Sequence, residues 1–302
     1  MMRGLLDTCW VAAYELGEAV RTRLFQLVIL AYLGGIGFSV WLFTKILGEA
    51  ENRLAETLGV PATSHPGAML PQLLKNGDVR DLLAPIVGGT SAADALLDQP
   101  ALGLWVGIFS MGLLPAVLVF TASGTVSAEV KSRSIRFLLV RTGRLEIAAG
   151  KLLGQLLLGA VAALLGVGLA WILGLLMMSG NPPVDLAVTL LTRCAWSCVF
   201  SLPFLGLALG SSLLIGSPNG ARVAATLAFF GMPALNAILT FKAGPGFVGQ
   251  VCDLLTLAIP TRYWNEFWST DLSVLAFASG RSVLLAVVFF AVGFARFQRR
   301  DL

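Results

Sequence analysis

Six long apolar runs leave this chain few folds to choose from. Leu24–Leu47, Ala101–Thr121, Leu152–Met178, Leu190–Ile215, Val223–Phe241 and Leu272–Ala295 are almost free of charge. Each is close to the roughly 20 residues an α-helix needs to cross a hydrocarbon core of about 30 Å. In lipid a helix satisfies its own backbone amides, so these runs predict spans. Composition agrees: 13% of the residues are charged, against roughly 25% in soluble domains. The expected fold class is an all-α integral membrane protein with six transmembrane helices. To these are added an N-terminal amphipathic interface helix and a re-entrant or interfacial hairpin before the last span.

The segments between the runs give the organisation of one transmembrane domain over residues 1–302. Residues 1–22 read as an amphipathic helix, with Leu5, Leu6, Cys9, Trp10, Ala13, Leu16 and Val20 on one face. It is expected to lie in the membrane interface, the alternative being a helix packed on the protein itself. Charges at Asp7, Glu15 and Glu18 interrupt it, so no cleavable signal peptide is expected. Residues 48–100 hold seven acidic and three basic residues with several prolines; short helices are expected near Glu49–Leu58 and Asp78–Leu83. Pro115 and Pro203 predict kinks, and Gly206 and Gly210 stand at helix-packing spacing. Ser217–Gly220 reads as a tight turn. Residues 242–271 are too broken to span cleanly, and Tyr263, Trp264, Phe267 and Trp268 are expected in an aromatic belt at the membrane surface.

Thirteen of the 21 Lys and Arg residues lie in the N-terminal segment, residues 121–153, the Ser217–Arg222 turn and the C-terminus. The positive-inside rule makes those segments cytoplasmic and the acidic 48–100 loop extracytoplasmic. The expected location is the cell membrane, multi-pass, with both termini in the cytoplasm. In such a chain a net charge of +4 reflects orientation, and no nucleic acid partner is expected.

Several chemistries lack their residues. His65 is the single histidine, so haem and multi-histidine metal centres lack ligands, and no Ser-His-Asp or Cys-His arrangement is credible. Cys194 and Cys198 share a helix face, which fits small packing residues better than a soft-metal site. No ionisable residue lies centrally in a span, which argues against an ion-coupled transporter. Gly150-Lys151 falls short of a phosphate-binding loop: Leu145 stands where its first glycine belongs, and Leu152 where Ser or Thr would hold magnesium. No cofactor is therefore expected in this subunit, and no enzyme activity of its own. Any work it does must draw on a partner's energy.

The basic stretch 122–151 is where a soluble partner would meet the chain. A short helix from about Glu129 to Val140 would present Ile135, Phe137, Leu138 and Leu139 as an apolar knob. Lys131, Arg133, Arg136 and Arg141 would ring it. An apolar centre with a charged rim is how protein interfaces are built. The alternative is that these bases only set topology and touch lipid phosphates. They do not then account for the apolar residues between them.

The run Glu129-Val130-Lys131-Ser132-Arg133-Ser134-Ile135-Arg136-Phe137-Leu138-Leu139, followed by Arg144-Leu145-Glu146-Ile147 and Gly150-Lys151-Leu152-Leu153, resembles the cytoplasmic loop of type-2 ABC exporter permeases. Phe294–Leu302 is similar to that family's close, and Arg21–Phe25 to its pattern before the first span. Arg133 stands where the family often has glycine, and Arg141-Thr142-Gly143 replaces its usual Pro-x-Ser. The resemblance implies a transmembrane permease subunit of an ATP-binding-cassette exporter, with ATP and magnesium on a separate ATPase. The partners it implies are two ATPase copies, a second permease copy or homologue, and membrane lipid. Residues 1–22 become a connecting helix and 122–151 a coupling loop. ATPase-coupling roles then fall on Glu129, Lys131, Arg133, Ser134, Ile135, Arg136, Phe137, Leu138, Leu139 and Arg144. The Gly-, Ala-, Leu- and Phe-rich spans suit amphipathic or lipid-like cargo. A second reading is a mechanotransmission subunit that passes conformational work to an extracytoplasmic accessory protein without moving cargo. A third, an anchor for a membrane redox enzyme, is opposed by the shortage of histidines and buried carboxylates.

Overall fold

The computed structural model describes residues 2–58, 66–67, 99–179, 182–242, 244 and 246–300. Among these the chain is helical throughout, in the order α1 (Met2–Arg21), α2 (Arg23–Leu58), α3 (Ala101–Ala122), α4 (Thr125–Ser132), α5 (Ile135–Leu139), α6 (Arg144–Met177), α7 (Pro183–Leu214), α8 (Pro218–Lys242), α9 (Phe247–Thr256), a 3₁₀ helix (Pro260–Trp268) and α10 (Leu272–Gln298). Six of these, α2, α3, α6, α7, α8 and α10, are long and apolar enough to cross a membrane.

The spans differ in what they bury. In their most apolar stretches α3 and α7 are 67% buried, whereas α8 is 6% buried. The first two are therefore the centre of the bundle and α8 is peripheral. Helix α7 packs against α3, α6, α8 and α10. One apolar cluster joins Met111, Leu118, Phe204, Leu205, Phe267 and Trp268. A second joins Tyr32, Ile36, Leu102, Leu114 and Leu186 and includes Cys194, with Cys198 packed against it.

Glycines set the α7–α10 distance. A Cβ at Gly206 would sit 2.3 Å from the Ala286 carbonyl oxygen, one at Gly210 2.4 Å from that of Phe289, and one at Gly293 2.3 Å from that of Gly210. The backbones are in contact, as the Gly206/Gly210 spacing predicts. Gly210→Leu must therefore push α10 away. We expect its thermal midpoint to fall sharply, because overpacking costs about 1–3 kcal/mol even where the neighbours are movable side chains.

Several expectations need correction. Residues 49–58 are not a separate helix: α2 continues through them to Leu58. Past the apolar stretch Glu51 is buried and accepts the Gly67 amide on both carboxylate oxygens, at 3.0 and 2.9 Å. Ser217–Gly220 is a helix start rather than a free turn, because Pro218 opens α8 and Ser217 Oγ accepts the Gly220 amide at 3.2 Å. Proline fits the first turn, where its missing N–H costs nothing. Helix α7 starts seven residues before the expected Leu190. Arg193 therefore stands about 15 Å along it and is 4% exposed. This charge therefore stands deeper in its helix than the expected start at Leu190 placed it. Arg193 is held by Gln99 Oε1 at 2.9 Å and by the Trp268 ring, 5.0 Å away.

The aromatic segment also differs. Tyr263, Phe267 and Trp268 are buried rather than turned out into a belt, because Phe200 and Phe204 of α7 offer them an aromatic wall. Phe200 meets Trp264 and Phe267 edge-on at 5.4 and 5.6 Å, a favoured geometry. Asp271 then caps α10, accepting the Ser273 amide at 2.8 Å, which holds its carboxyl below the usual range. Most of the 48–100 loop, including Asp78–Leu83, lies outside the described residues, as do Asp301 and Leu302.

Candidate coupling site

The four basic segments meet at one end of the bundle. Helix α1 lies along α6. A Cβ at Gly124 would be 2.7 Å from Arg222 Nε, and one at Gly216 would collide with the Arg300 guanidinium. Between them runs residues 122–143, and its architecture follows from where it is anchored.

Helix α4 begins with its backbone amides facing α7. Ser212, 1% exposed, accepts the amides of Val126 and Ser127 at 3.0 and 3.1 Å. It thus performs from a neighbouring helix the service of an N-cap. A single helix over Glu129–Val140 does not form. Arg133 has φ 61°, in the left-handed region, and ends α4. That region costs a side-chain-bearing residue roughly 1–2 kcal/mol and glycine almost nothing. Glycine would adopt this conformation without that cost. Arg133→Gly should raise the thermal midpoint of the purified protein, and Arg133→Val should lower it.

Beyond this break, Ile135 is 1% exposed and packs with Val126, Ala148, Leu213 and Phe297. It is an anchor of α5, not part of the expected knob. Leu139 packs against the same cluster and Leu138 is half-buried. Two apolar residues remain outward: Phe137, 80% exposed, and Val140, 85% exposed. A groove of about 600 Å³ runs beside them, with Trp10 and Val11 of α1 on its other wall and Asp7 and Arg141 at its edges. Lys131, Arg133, Ser134 and Arg136 are exposed.

Arg144 turns inward. It donates to the carbonyls of Phe297 at 2.8 Å and Gln298 at 2.5 Å, with its guanidinium 5.7 Å from the Phe297 ring centre. Its task is to close the C-terminal end of α10, where carbonyls lack helical partners.

Glu129 also turns inward, to the best-defined polar contact of the site. Lys151 of α6, 2% exposed, donates to Glu15 of α1 at 2.7 Å and to Glu129 of α4 at 2.9 Å. Gln155, one turn on, donates to Glu15 at 3.1 Å. One buried ammonium thus ties together α1, α4 and a spanning helix. In the sequence Glu15 interrupts an amphipathic helix and Lys151 stands in the Gly150-Lys151 pair, with nothing in the local pattern to join them or to mark Gln155. Their signal is the pair Gly150 and Gly154. A Cβ at Gly150 would lie 2.6 Å from that of Val11, and one at Gly154 2.9 Å from that of Glu15. Small residues four apart are where another helix can land, and here α1 does. Its opposite face leaves Leu6, Trp10, Tyr14 and Val20 exposed, so α1 packs on the protein along one side and is apolar on the other.

A family model described as ABC-2 family transporter protein matches residues 9–302. The chain belongs to the ABC-2 transporter family. It is accordingly a multi-pass membrane protein of a transport system, as the six spans require. No curated protein matches it.

Proposed function

We propose that the chain is the permease subunit of an ABC exporter and that a separate ATPase drives it through α4 and α5. Membrane subunits of this family normally pair with an ABC ATPase. The observation that carries the proposal is the contrast along α5 and its C-cap: Phe137 and Val140 are almost fully exposed, while Ile135, two residues before Phe137, is almost fully buried. A knob anchored in this way can pass force, whereas residues serving only topology have no need of it. The basic end of the bundle is then cytoplasmic, with both termini there. Two permeases and two ATPases form the working unit, and ATP and magnesium sit on the ATPases.

The test is ATP hydrolysis by the reconstituted complex. Replacing residues 129–140 with a Gly/Ser linker is expected to abolish permease-stimulated hydrolysis and cargo movement. Full coupling with that segment replaced would overturn the proposal.

One observation favours mechanotransmission as a second reading. Helix α2 runs ~16 Å beyond Leu47, and its buried Glu51 grips Gly67. An outer segment is thereby fixed to a spanning helix. Co-purification of an outer partner that is lost on trimming residues 68–98 supports that reading. Transport of a defined cargo by the complex without such a partner counts against it.

A further inference from the structure

A cavity of about 430 Å³ opens between the C-terminal half of α1, the first turn of α2, the end of α3, α4 and the start of α8. Its volume falls in the range of small-ligand sites, roughly 300–1,000 Å³. It shares Glu129 and Lys151 with the proposed coupling path, but the exposed Phe137 and Val140 do not line it.

The lining is incomplete in a specific way. Glu129 Oε2 and Gln155 Oε1 are buried without a hydrogen-bond partner, and Gln155 is 2% exposed. Their other polar atoms are taken by the Lys151 cluster. Two acceptors therefore remain, beside the carboxylate of Glu18, which also lines the cavity. Arg222 Nε is buried without a partner too, its guanidinium held against Gly124. A buried polar atom left without a partner is costly, so each favours a ligand that satisfies it. The acceptors call for a compact cation with several N–H donors, and the arginine for an anion. Leu24 and Phe25, where α2 enters its apolar run, complete the wall.

We infer that this cavity binds the headgroup of an aminophospholipid. The primary ammonium is received by Glu18, Glu129 and Gln155, the phosphate by Arg222, and the acyl chains leave past Leu24 and Phe25. A zwitterion answers both halves of the lining, and a lipid also uses the apolar wall. The inference rests on the proposal that this end of the bundle lies at the cytoplasmic membrane surface. Its test involves no ATPase, so it can fail without touching the coupling proposal.

The full chain, purified in mild detergent, is offered equal amounts of phosphatidylethanolamine, phosphatidylcholine and phosphatidylglycerol, and the retained lipids are counted by native mass spectrometry. We expect one tightly held phosphatidylethanolamine, with a preference of about tenfold over phosphatidylcholine, whose trimethylammonium has no N–H to donate. Glu18→Gln should remove most of that preference, whereas Arg222→Ala should weaken retention of phosphatidylethanolamine and phosphatidylcholine alike. Glu18 is exposed, so its variant should melt like the parent. Equal retention of the three lipids, a preference for phosphatidylglycerol, or an unchanged preference in a folded Glu18→Gln protein would overturn the assignment. Displacement by free phosphoethanolamine at the concentration at which the lipid binds would also overturn it, in favour of a soluble zwitterion.

Discussion

Lys151→Met is expected to be the most damaging single substitution in this chain. The side chains of Lys151 and Glu15 are 3% and 6% exposed, and that of Glu129 16%. Removing the ammonium leaves two carboxylates facing each other without a counter-charge. Breaking a buried ion pair from one side costs about 3–5 kcal/mol, and here one change breaks two. Thermal denaturation of the purified protein should show a large fall in midpoint. Proteolysis should show α1 and the 122–143 loop released before the spans. Glu129→Gln is the milder control. It keeps an acceptor for Lys151 and leaves the Lys151–Glu15 contact intact, so α1 should stay docked while α4 loosens. A Lys151→Met protein with the parent's midpoint and protease pattern would show that the triad holds nothing together.

The second large effect is expected at the other face of the same loop. Phe137→Ala and Val140→Asp change side chains that make little contact within the described chain, so the fold should be unaffected. In the complex they remove the apolar centre of the proposed interface. Central aromatic anchors are worth about 2 kcal/mol or more on truncation, which corresponds to roughly 30-fold weaker association. Permease-stimulated ATP hydrolysis should fall accordingly, most in the double variant. The pairing with Lys151→Met is informative: one substitution should lower stability directly, and the other should lower only coupling.

Much of this was legible in the sequence, for identifiable reasons. Six spans follow from hydropathy because lipid leaves a chain no cheaper way to satisfy its backbone. The α7–α10 contact follows from Gly206 and Gly210 because close approach needs small residues. The basic loop between α3 and α6, to which the proposal gives the coupling role, stands out by its charge. Side-chain direction within that loop does not. Ile135 and Phe137 are similar in type and two residues apart, yet one is inside and the other outside. That division depends on the left-handed break at Arg133 and on Ser212 arriving from α7, and local pattern encodes neither. Arg144 and Glu129 take coupling roles from the resemblance alone, and their inward turn is not legible because their partners, Phe297 and Lys151, are distant in the sequence or hidden in an apolar run. Burial of Glu15 was obscured because a charged residue on an amphipathic helix ordinarily marks the wet face. The Gly150/Gly154 stripe was the available clue. The aromatic belt was misplaced for the converse reason: Trp and Tyr favour interfaces, but Phe200 and Phe204 offered them a better-packed wall.

On the proposed coupling, the triad and the exposed knob act together: force applied at Phe137 and Val140 would reach α6 through Glu129 and Lys151, α1 through Glu15, and α7 and α10 through Ile135. Cross-linking from the knob itself is the direct test. A photoreactive phenylalanine analogue at position 137, in the assembled complex with its ATPase, is irradiated with and without ATP. The predicted result is a cross-link to the ATPase subunit whose yield changes with nucleotide, with no such product from the same analogue at buried Phe204. Cross-links confined to lipid or to the permease itself, in a complex that still hydrolyses ATP at the parent rate, would contradict it.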